Sequence, residues 1–523
     1  MNVFLKQYRV YLNSLRICLF SYVFVSLFFL SHVFAIPLVL NGRVVYPTGE
    51  FQRRYIVIDK GLIQSISESI PDDVPCDATV IYTEGYIYPG LINLHTHLGY
   101  NVLPLWKEAH GQFHNRFEWR KDDKYKADIR KPYSALNEHE DKKFKKGMVI
   151  FDELQALSGG TTLLQESHAL DKEVNEATRR MTVRGTDYPE DLELENDKKI
   201  VSVIDLFEPR VTQPPNPKDG LARFQSLREK NKIQAFIPHL AEGRTGFLRD
   251  HGFDEYSRKE FEAFMNHDIF SDSKHTPKPP IALVHASGVD PNNKNHIHFL
   301  KQWNVGIIWS PVSNLLLYGD TLDAETLLQK GITMALGSDW SPSGSKHVLD
   351  EGRMAKFYLN TLGTKVSDEQ IFQMMTVNPA KLIGHPHLGE IKRGNLADLF
   401  IIEDPEKWHS AMETLFETDT RYIRLVLIRG KIAYGDNGLT RQSDLGMQPL
   451  PEKERVDAWA KNKIVYIDPA MDIQLNDVVE RIEDYLKKNF DIKRSNSLTP
   501  TDIPYQQRMN ELKQFMTVTF GHR

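Results

Sequence analysis

The sequence predicts an α/β fold, a (β/α)8 TIM-like barrel carrying a composite β-sandwich built from both flanking segments. Three observations carry this. From Tyr88 to about Leu388, short continuously apolar runs alternate with longer amphipathic segments, the texture of parallel strands buried on both faces. Eight such runs with intervening helices, spread over about 250–300 residues, match the length of a closed barrel. On either side the texture is of short strands and tight turns. An open doubly wound sheet is the rival, but no glycine-rich dinucleotide fingerprint is present.

Residues 1–35 read as a leader separate from the fold. Lys6, Arg9 and Arg16 precede the almost wholly apolar run from Ile17 to Ala35, and Val33 and Ala35 occupy −3 and −1 of a small-residue cleavage site. A secretory signal peptide is the first reading and an uncleaved anchor the second, since the run is long enough to span a bilayer. Both put the remainder outside the cytoplasm, periplasmic or extracellular, with membrane contact only through residues 17–35 if uncleaved. Cys18 lies in this leader, so the processed chain keeps only Cys76 and forms no internal disulfide.

Residues 36–88 are expected to form the first half of the sandwich, with hairpin turns at Asn41-Gly42 and at Asp59-Lys60-Gly61. The barrel, 89–388, takes its strands from "GLINLH", "GGTTLLQES", "RMTVRGTDY", "KKIVSVIDLF", "IQAFIPHLAE", "PIALVHAS", "VGIIWSP" and "ITMALGSD". Residues 389–436 supply the second half of the sandwich, with a turn at Arg429-Gly430-Lys431. The extension 437–523 contains one amphipathic helix, with Leu475, Val478, Val479, Ile482, Tyr485 and Leu486 at helical spacing, expected to pack on the body. A net charge of −5, with no long basic block, argues against nucleic acid as a partner.

Three His-x-His tripeptides invite a metal reading. His296 and His298 fall in a helix, where positions i and i+2 point about 200° apart and cannot share an ion. His385 and His387 flank a proline in a turn. His110 and His114 have helical spacing, but Gly111 weakens a helix and the glutamate of the HExxH pattern is missing. His95 and His97 differ, because they end an apolar strand, and i and i+2 of a strand share a face. Other runs end in polar residues too: His239 with Glu242 three positions on, His285, and Asp339. Each is costly to bury alone, and in a barrel all of them arrive at the catalytic end. Each has a bland reading, as a satisfied core histidine or a helix-capping acid. Together they read as one metal centre.

These pieces, "YPGLINLHTH", "SGGTTLLQES", "PHLAE", "LVHAS", "SPVSN", "GSDW", "TVNPAKLIGH" and "GEIKRGNLADLFIIE", resemble the amidohydrolase superfamily, in the same order and over about residues 37–436. The resemblance implies that His95, His97, His239 and Asp339 are metal ligands and that His285 is the histidine of the sixth strand. The fourth strand has lysines only at its start, which favours one metal, and leaves His285 to the substrate. The HxxE pattern of His239 and Glu242 is similar to the branch of cytosine and guanine deaminases and triazine hydrolases. Asn93 stands where many members have Asp, and any effect belongs to residues behind the ligands.

Three imidazoles and a carboxylate leave room for water on Zn2+, or on Fe2+, and the cation makes that water a nucleophile. Asp339 is expected to receive the water proton, Glu242 to shuttle a proton to substrate nitrogen, and His285 to polarise the substituent of the attacked carbon. For Glu242 the bland reading is an acid stabilised by a helix N-terminus. Trp106, in an aromatic loop after His97, and Ser313 and Asn314 are the expected substrate contacts. The expected function is an exported C–N hydrolase of small molecules, deaminase- or chlorohydrolase-like. An amidase or cyclic-amide hydrolase is the alternative, and a non-catalytic metal- or ligand-binding protein the alternative of another class. A homo-oligomer is left open.

Overall fold

The structure is a computed structural model. It describes residues 37–97, 99–165, 183–207, 219–247, 252–271, 278–407, 410–439, 447–449, 462–492 and 503–521. The leader, with its cleavage-site residues and Cys18, lies outside them. Among the described residues no helix is long and apolar enough to cross a membrane.

The first flank contributes β1 (Leu38–Val45), β2 (Phe51–Asp59), β3 (Leu62–Ser67) and β4 (Thr79–Pro89). The predicted turn at Asn41-Gly42 is not one. β1 runs straight through it and pairs with β2 up to Val45 and Phe51, so the hairpin turn lies at residues 46–50. The reason is a bulge against β4, where the register shifts between Asn41 and Arg43. A Cβ on Gly42 would stand 2.6 Å from Thr83 Cγ2. Glycine is there for close approach. The turn at Lys60-Gly61 is present, with φ of 50° and 79°, as is Arg429-Gly430, with φ of 54° and 69°. Two successive positive φ angles are the signature of a tight hairpin turn.

The barrel strands are β5 (Leu91–Asn93), β6 (Thr161–Leu164), β7 (Arg184–Gly185), β8 (Lys199–Val203), β9 (Ile233–Leu240), β10 (Ile281–His285), β11 (Val305–Trp309) and β12 (Met334–Leu336). All paired neighbours are parallel, in two hydrogen-bonded arcs, β5-β6-β7 and β8 to β12. A parallel bridge between Thr96 and Asp339 joins the ends of the first and eighth strands. Alternation along the strands confirms that both faces are buried. Ile92, Leu163, Ile200, Ala235, Ala282, Ile308 and Ala335 meet in one apolar cluster. Their chain neighbours Leu91, Leu164, Val201, Phe236, Leu283, Ile307 and Leu336 belong to the cluster that receives the helices. Only inward and outward faces of a curved parallel sheet sort residues this way.

After the barrel come β13 (Leu399–Ile402), β14 (Ile423–Ile428), β15 (Lys431–Asp436), β16 (Met447–Pro449) and β17 (Lys463–Tyr466). They join the first flank in one nine-stranded sheet of order β16-β17-β15-β14-β13-β4-β1-β2-β3. Leu40, Ile56, Ile63 and Ile87 from the first flank share a core with Leu399, Ile401, Leu425 and Leu427 from the second, as a composite β-domain requires.

Five helices matter below: α1 (Lys142–Ser158), α2 (Glu255–Met265), α3 (Pro311–Tyr318), α4 (Val348–Thr361) and α5 (Leu475–Phe490). The predicted amphipathic helix is α5. Leu475, Val478, Val479, Ile482 and Leu486 are buried, and it lies across α1, where a Cβ on Gly147 would stand 2.1 Å from Val478 Cγ1. Gly147→Ala is therefore expected to destabilise the protein by about 1–3 kcal/mol through overpacking, read as a lower midpoint in urea. An unchanged midpoint would show that α5 yields freely. A further helix, α6 (Ile503–Phe520), was not expected. It buries Met509, Leu512, Met516 and Phe520 and packs on α4.

Candidate metal centre and active site

Four strand ends deliver the polar residues to one point. His95 and His97 follow β5, His239 lies near the end of β9, His285 closes β10 and Asp339 follows β12. The backbone departs from ordinary strand geometry there, with φ of 64° at His285 and 60° at Asp339. Left-handed non-glycine residues are costly and gather where a site demands an aim that a regular strand cannot provide.

The three imidazoles face one another through Nε2. His239 stands 3.0 Å from His95 and 3.3 Å from His97, and His95 and His97 are 3.4 Å apart. Asp339 Oδ1 is 3.3 Å from His95 Nε2 and 3.5 Å from His97 Nε2. Metal–ligand distances of roughly 2.0–2.1 Å place tetrahedral ligand atoms about 3.3–3.4 Å apart, so the three imidazoles have the spacing of one ion, and His95, His285 and Asp339 form a second group of possible ligands. The protonation states fit as well. Burial holds His95 and His239 well below the usual histidine range, as do the neighbouring imidazoles, and burial brings His97 down to about 4. Neutral imidazoles are the form that binds metal. Three neutral Nε2 atoms converging without a cation leave lone pairs facing each other.

Stability of the metal-free protein follows from the same shift. The folded-state pKa of His97 lies below that of the unfolded chain, about 4 against 6.5, so the unfolded chain takes up the proton first. The contribution is present above pH 6.5 and is lost as pH falls towards about 4. Relative to a His97→Gln variant, chelator-treated protein is expected to lose melting temperature across that window, and an unchanging difference between the two would contradict it.

One helix and the residue before it brace His95, Asp339, His285 and Glu242. Ser310, just before α3, meets His95 Nδ1 at 2.7 Å, and with the Nδ1 proton donated there the Nε2 lone pair is left for the cluster. Ser313 donates to Asp339 Oδ2 at 2.5 Å. Asn314 Nδ2 donates to Thr321, so its Oδ1 accepts the His285 Nδ1 proton at 3.0 Å. Tyr318 donates to Glu242 Oε1 at 2.5 Å. Ser313 and Asn314 are fully buried and do not line the cavity. They hold site residues from behind, which corrects their expected role as substrate contacts. Asn93 joins the first and eighth strand ends, donating to Ser338 Oγ at 2.7 Å and accepting from the Ser338 amide at 3.2 Å.

Glu242 and His285 stand beside the cluster, with Oε2 and Nε2 3.6 Å apart. Burial pushes Glu242 up, but His285, Arg116 and the Tyr318 hydrogen bond outweigh it and hold it below the usual glutamate range. Burial lowers His285 despite the raising effect of Glu242. Burial, with the Glu242 charge adding, drives Asp339 far up towards its protonated form.

A cavity of about 390 Å³ opens over these groups. Its polar floor is His97, His239, Glu242, His285 and Asp339, and its walls include Tyr100, Trp119, Tyr125, Tyr133 and Trp340. Arg120 reaches it and pairs with Asp205 at 2.9 Å. Trp106 is not among the lining residues. It is buried, 5.7 Å from Phe113 in a stacked pair and 5.9 Å from Tyr125 edge-on. The long loop after His97 is thus divided: Trp106, Phe113 and Phe117 pack it down, and Trp119, Arg120 and Tyr125 face the cavity. Tyr318 escaped the sequence reading, although it sits four residues after Asn314 and so on the same helical face. His296 accepts from the Asp290 amide and His385 meets Leu192 O, away from the cluster. Cys76 is an exposed free thiol.

Solved structures share the fold. A guanine deaminase from C. acetobutylicum is 19% identical with a TM-score of 0.56, covering 76% of this chain and 99% of its own. An atrazine chlorohydrolase from Arthrobacter aurescens, solved with zinc, is 16% identical with a TM-score of 0.58, covering 76% and 95%. In sequence, a 5-methylthioadenosine/S-adenosylhomocysteine deaminase from Thermococcus onnurineus is 25% identical over 414 residues, 70% of this chain and 85% of that protein. The model of the amidohydrolase family matches residues 86–433. That stretch holds all eight barrel strands and every side chain of the cluster, and the chain belongs to the amidohydrolase family.

Proposed function

We propose that this amidohydrolase is a zinc-dependent hydrolase that removes an amino or comparable leaving group from a small planar nitrogen heterocycle. The observation that carries the reading is the cluster itself: three Nε2 atoms and Asp339 Oδ1 at single-ion spacing, with Glu242 and His285 beside them at the floor of an aromatic cavity. His95, His97, His239 and Asp339 would hold the ion, which supplies Lewis acidity to turn water into a nucleophile at neutral pH. Asp339, a carboxylate when it holds the ion, takes the water proton. Glu242, ionised at rest, takes up the second proton of that water and delivers it to the departing nitrogen. His285, fixed by Asn314 with Nε2 towards the cavity side of Glu242, polarises the substituent on the attacked carbon. Trp119, Tyr125 and Trp340 supply flat walls for a ring. That similar proteins include a zinc-bound atrazine chlorohydrolase and deaminases of guanine and 5-methylthioadenosine supports this choice of metal and substrate class.

The test is metal analysis of the purified protein together with a screen of purines, nucleosides and triazines for ammonia and chloride, and of cyclic amides for carboxylate. Ammonia or chloride release by zinc-loaded protein is the expected result. Carboxylate release alone would shift the reading to an amidase, and absence of any bound transition metal would end it. Export by residues 1–35 belongs to the same proposal, supported by the basic flank and apolar run of the sequence. Cell fractionation and the N-terminal residue of the mature protein test it, a cytoplasmic chain beginning at Met1 being the contrary result.

A further inference from the structure

Glu242 has a partner that the chemistry above does not use. Tyr318 Oη donates to Glu242 Oε1 and lies 2.8 Å from Trp119 Nε1. The direction of this chain is forced. An indole N–H only donates, an ionised carboxylate only accepts, and a phenol has one proton. Tyr318 therefore accepts from Trp119 and gives its proton to Glu242. Burial and the adjacent carboxylate hold the phenol well above its usual range, so the donor persists.

We propose that Tyr318, oriented by Trp119, is a positioning residue that occupies one oxygen of Glu242 and leaves the other to work. Oε1 is taken by the phenol, while Oε2 is the atom that faces His285 Nε2 at 3.6 Å. Trp119 also walls the cavity. An occupant that seats against its ring meets the first member of the chain that sets Glu242. The surrounding backbone holds this chain in place. The Arg116 amide donates to Glu242 O at 3.3 Å, Arg244 Nε donates to Tyr318 O at 3.1 Å, and the buried Arg116 pairs with Glu260 on α2 at 2.8 Å. The short helix Arg116–Trp119 is thereby fastened to both β9 and α3.

The inference rests on the reading of Glu242 as proton carrier, and its test separates the two. Zinc-loaded full-length Tyr318→Phe and Trp119→Phe are crystallised and assayed on a substrate from the screen. In Tyr318→Phe the Glu242 carboxylate is expected to leave its single orientation while zinc stays bound. Its kcat should fall about 10–100-fold, the range for removing a hydrogen-bond partner that orients a functional side chain, with KM nearly unchanged. In a Glu242→Gln background the same change should cost no more than about twofold, since two substitutions acting through one group do not add. Trp119→Phe keeps the ring and should reproduce the carboxylate disorder in a protein whose Tyr318 is intact. If Tyr318→Phe does not fold, Trp119→Phe decides. An unmoved carboxylate, or an equal loss in both backgrounds, would overturn the positioning role. Full turnover by Glu242→Gln would instead overturn the proton-carrier reading, and the crystal structures would still decide whether Tyr318 sets the carboxylate.

Discussion

Glu242→Gln is expected to cut turnover by about 10²–10⁴-fold, the usual contribution of a positioned acid–base group, with zinc content unchanged. The amide retains the shape of the side chain and its Oε1 still accepts from Tyr318, so packing is preserved. What disappears is the proton-carrying oxygen beside His285. Because Glu242 makes none of the close approaches within the imidazole cluster, the residues proposed to hold the ion are untouched. The measurement is kcat on a substrate from the screen alongside metal stoichiometry. Turnover within about threefold of the parent would return Glu242 to a structural role and remove the largest single term assigned to a side chain here.

His239→Ala should act one step earlier. It removes the imidazole whose Nε2 comes nearest to both His95 and His97, leaving three of the four side chains proposed to hold the ion. Zinc affinity is expected to fall by more than the about 10–100-fold typical of residues that only orient a ligand, and hydrolysis to be lost with it. Ser310→Ala supplies the comparison, since it removes the partner of His95 Nδ1 and no ligand. Titration of apo protein with zinc orders the two. Equal affinities for His239→Ala and the parent would place the ion elsewhere.

Much of this site was legible before any coordinates. Strand ends are readable because an apolar run that stops at His95, His239, His285 or Asp339 marks both a buried strand and a polar group needing a partner. His-x-His distinguishes strand from helix by side-chain direction, so His296 and His298 were separated correctly from His95 and His97. The helix over Leu475–Phe490 was readable from its periodicity. The two positive-φ turns were readable because local backbone geometry alone selects Gly after Lys60 and Arg429.

Other features depended on contacts between residues far apart in the chain. Asn41-Gly42 has the local signature of a turn and became a strand bulge because Thr83 and Ile87 crowd that glycine. Trp106 and Trp119 are both aromatic residues in one long loop. Which of them packs and which faces the cavity is decided by Phe113 and Tyr125 on one side and Tyr318 on the other. Ser313 and Asn314 carry hydrogen-bonding groups in any reading, but only the placement of α3 behind the cluster turns them towards Asp339 and His285. The sequence by itself determined the parallel strands and the polar side chains at their ends, since these depend on local period and side-chain identity. The tertiary structure alone decided which aromatic faces the cavity and which oxygen of Glu242 meets Tyr318. Those depend on packing and hydrogen bonds between segments that no local pattern brings together.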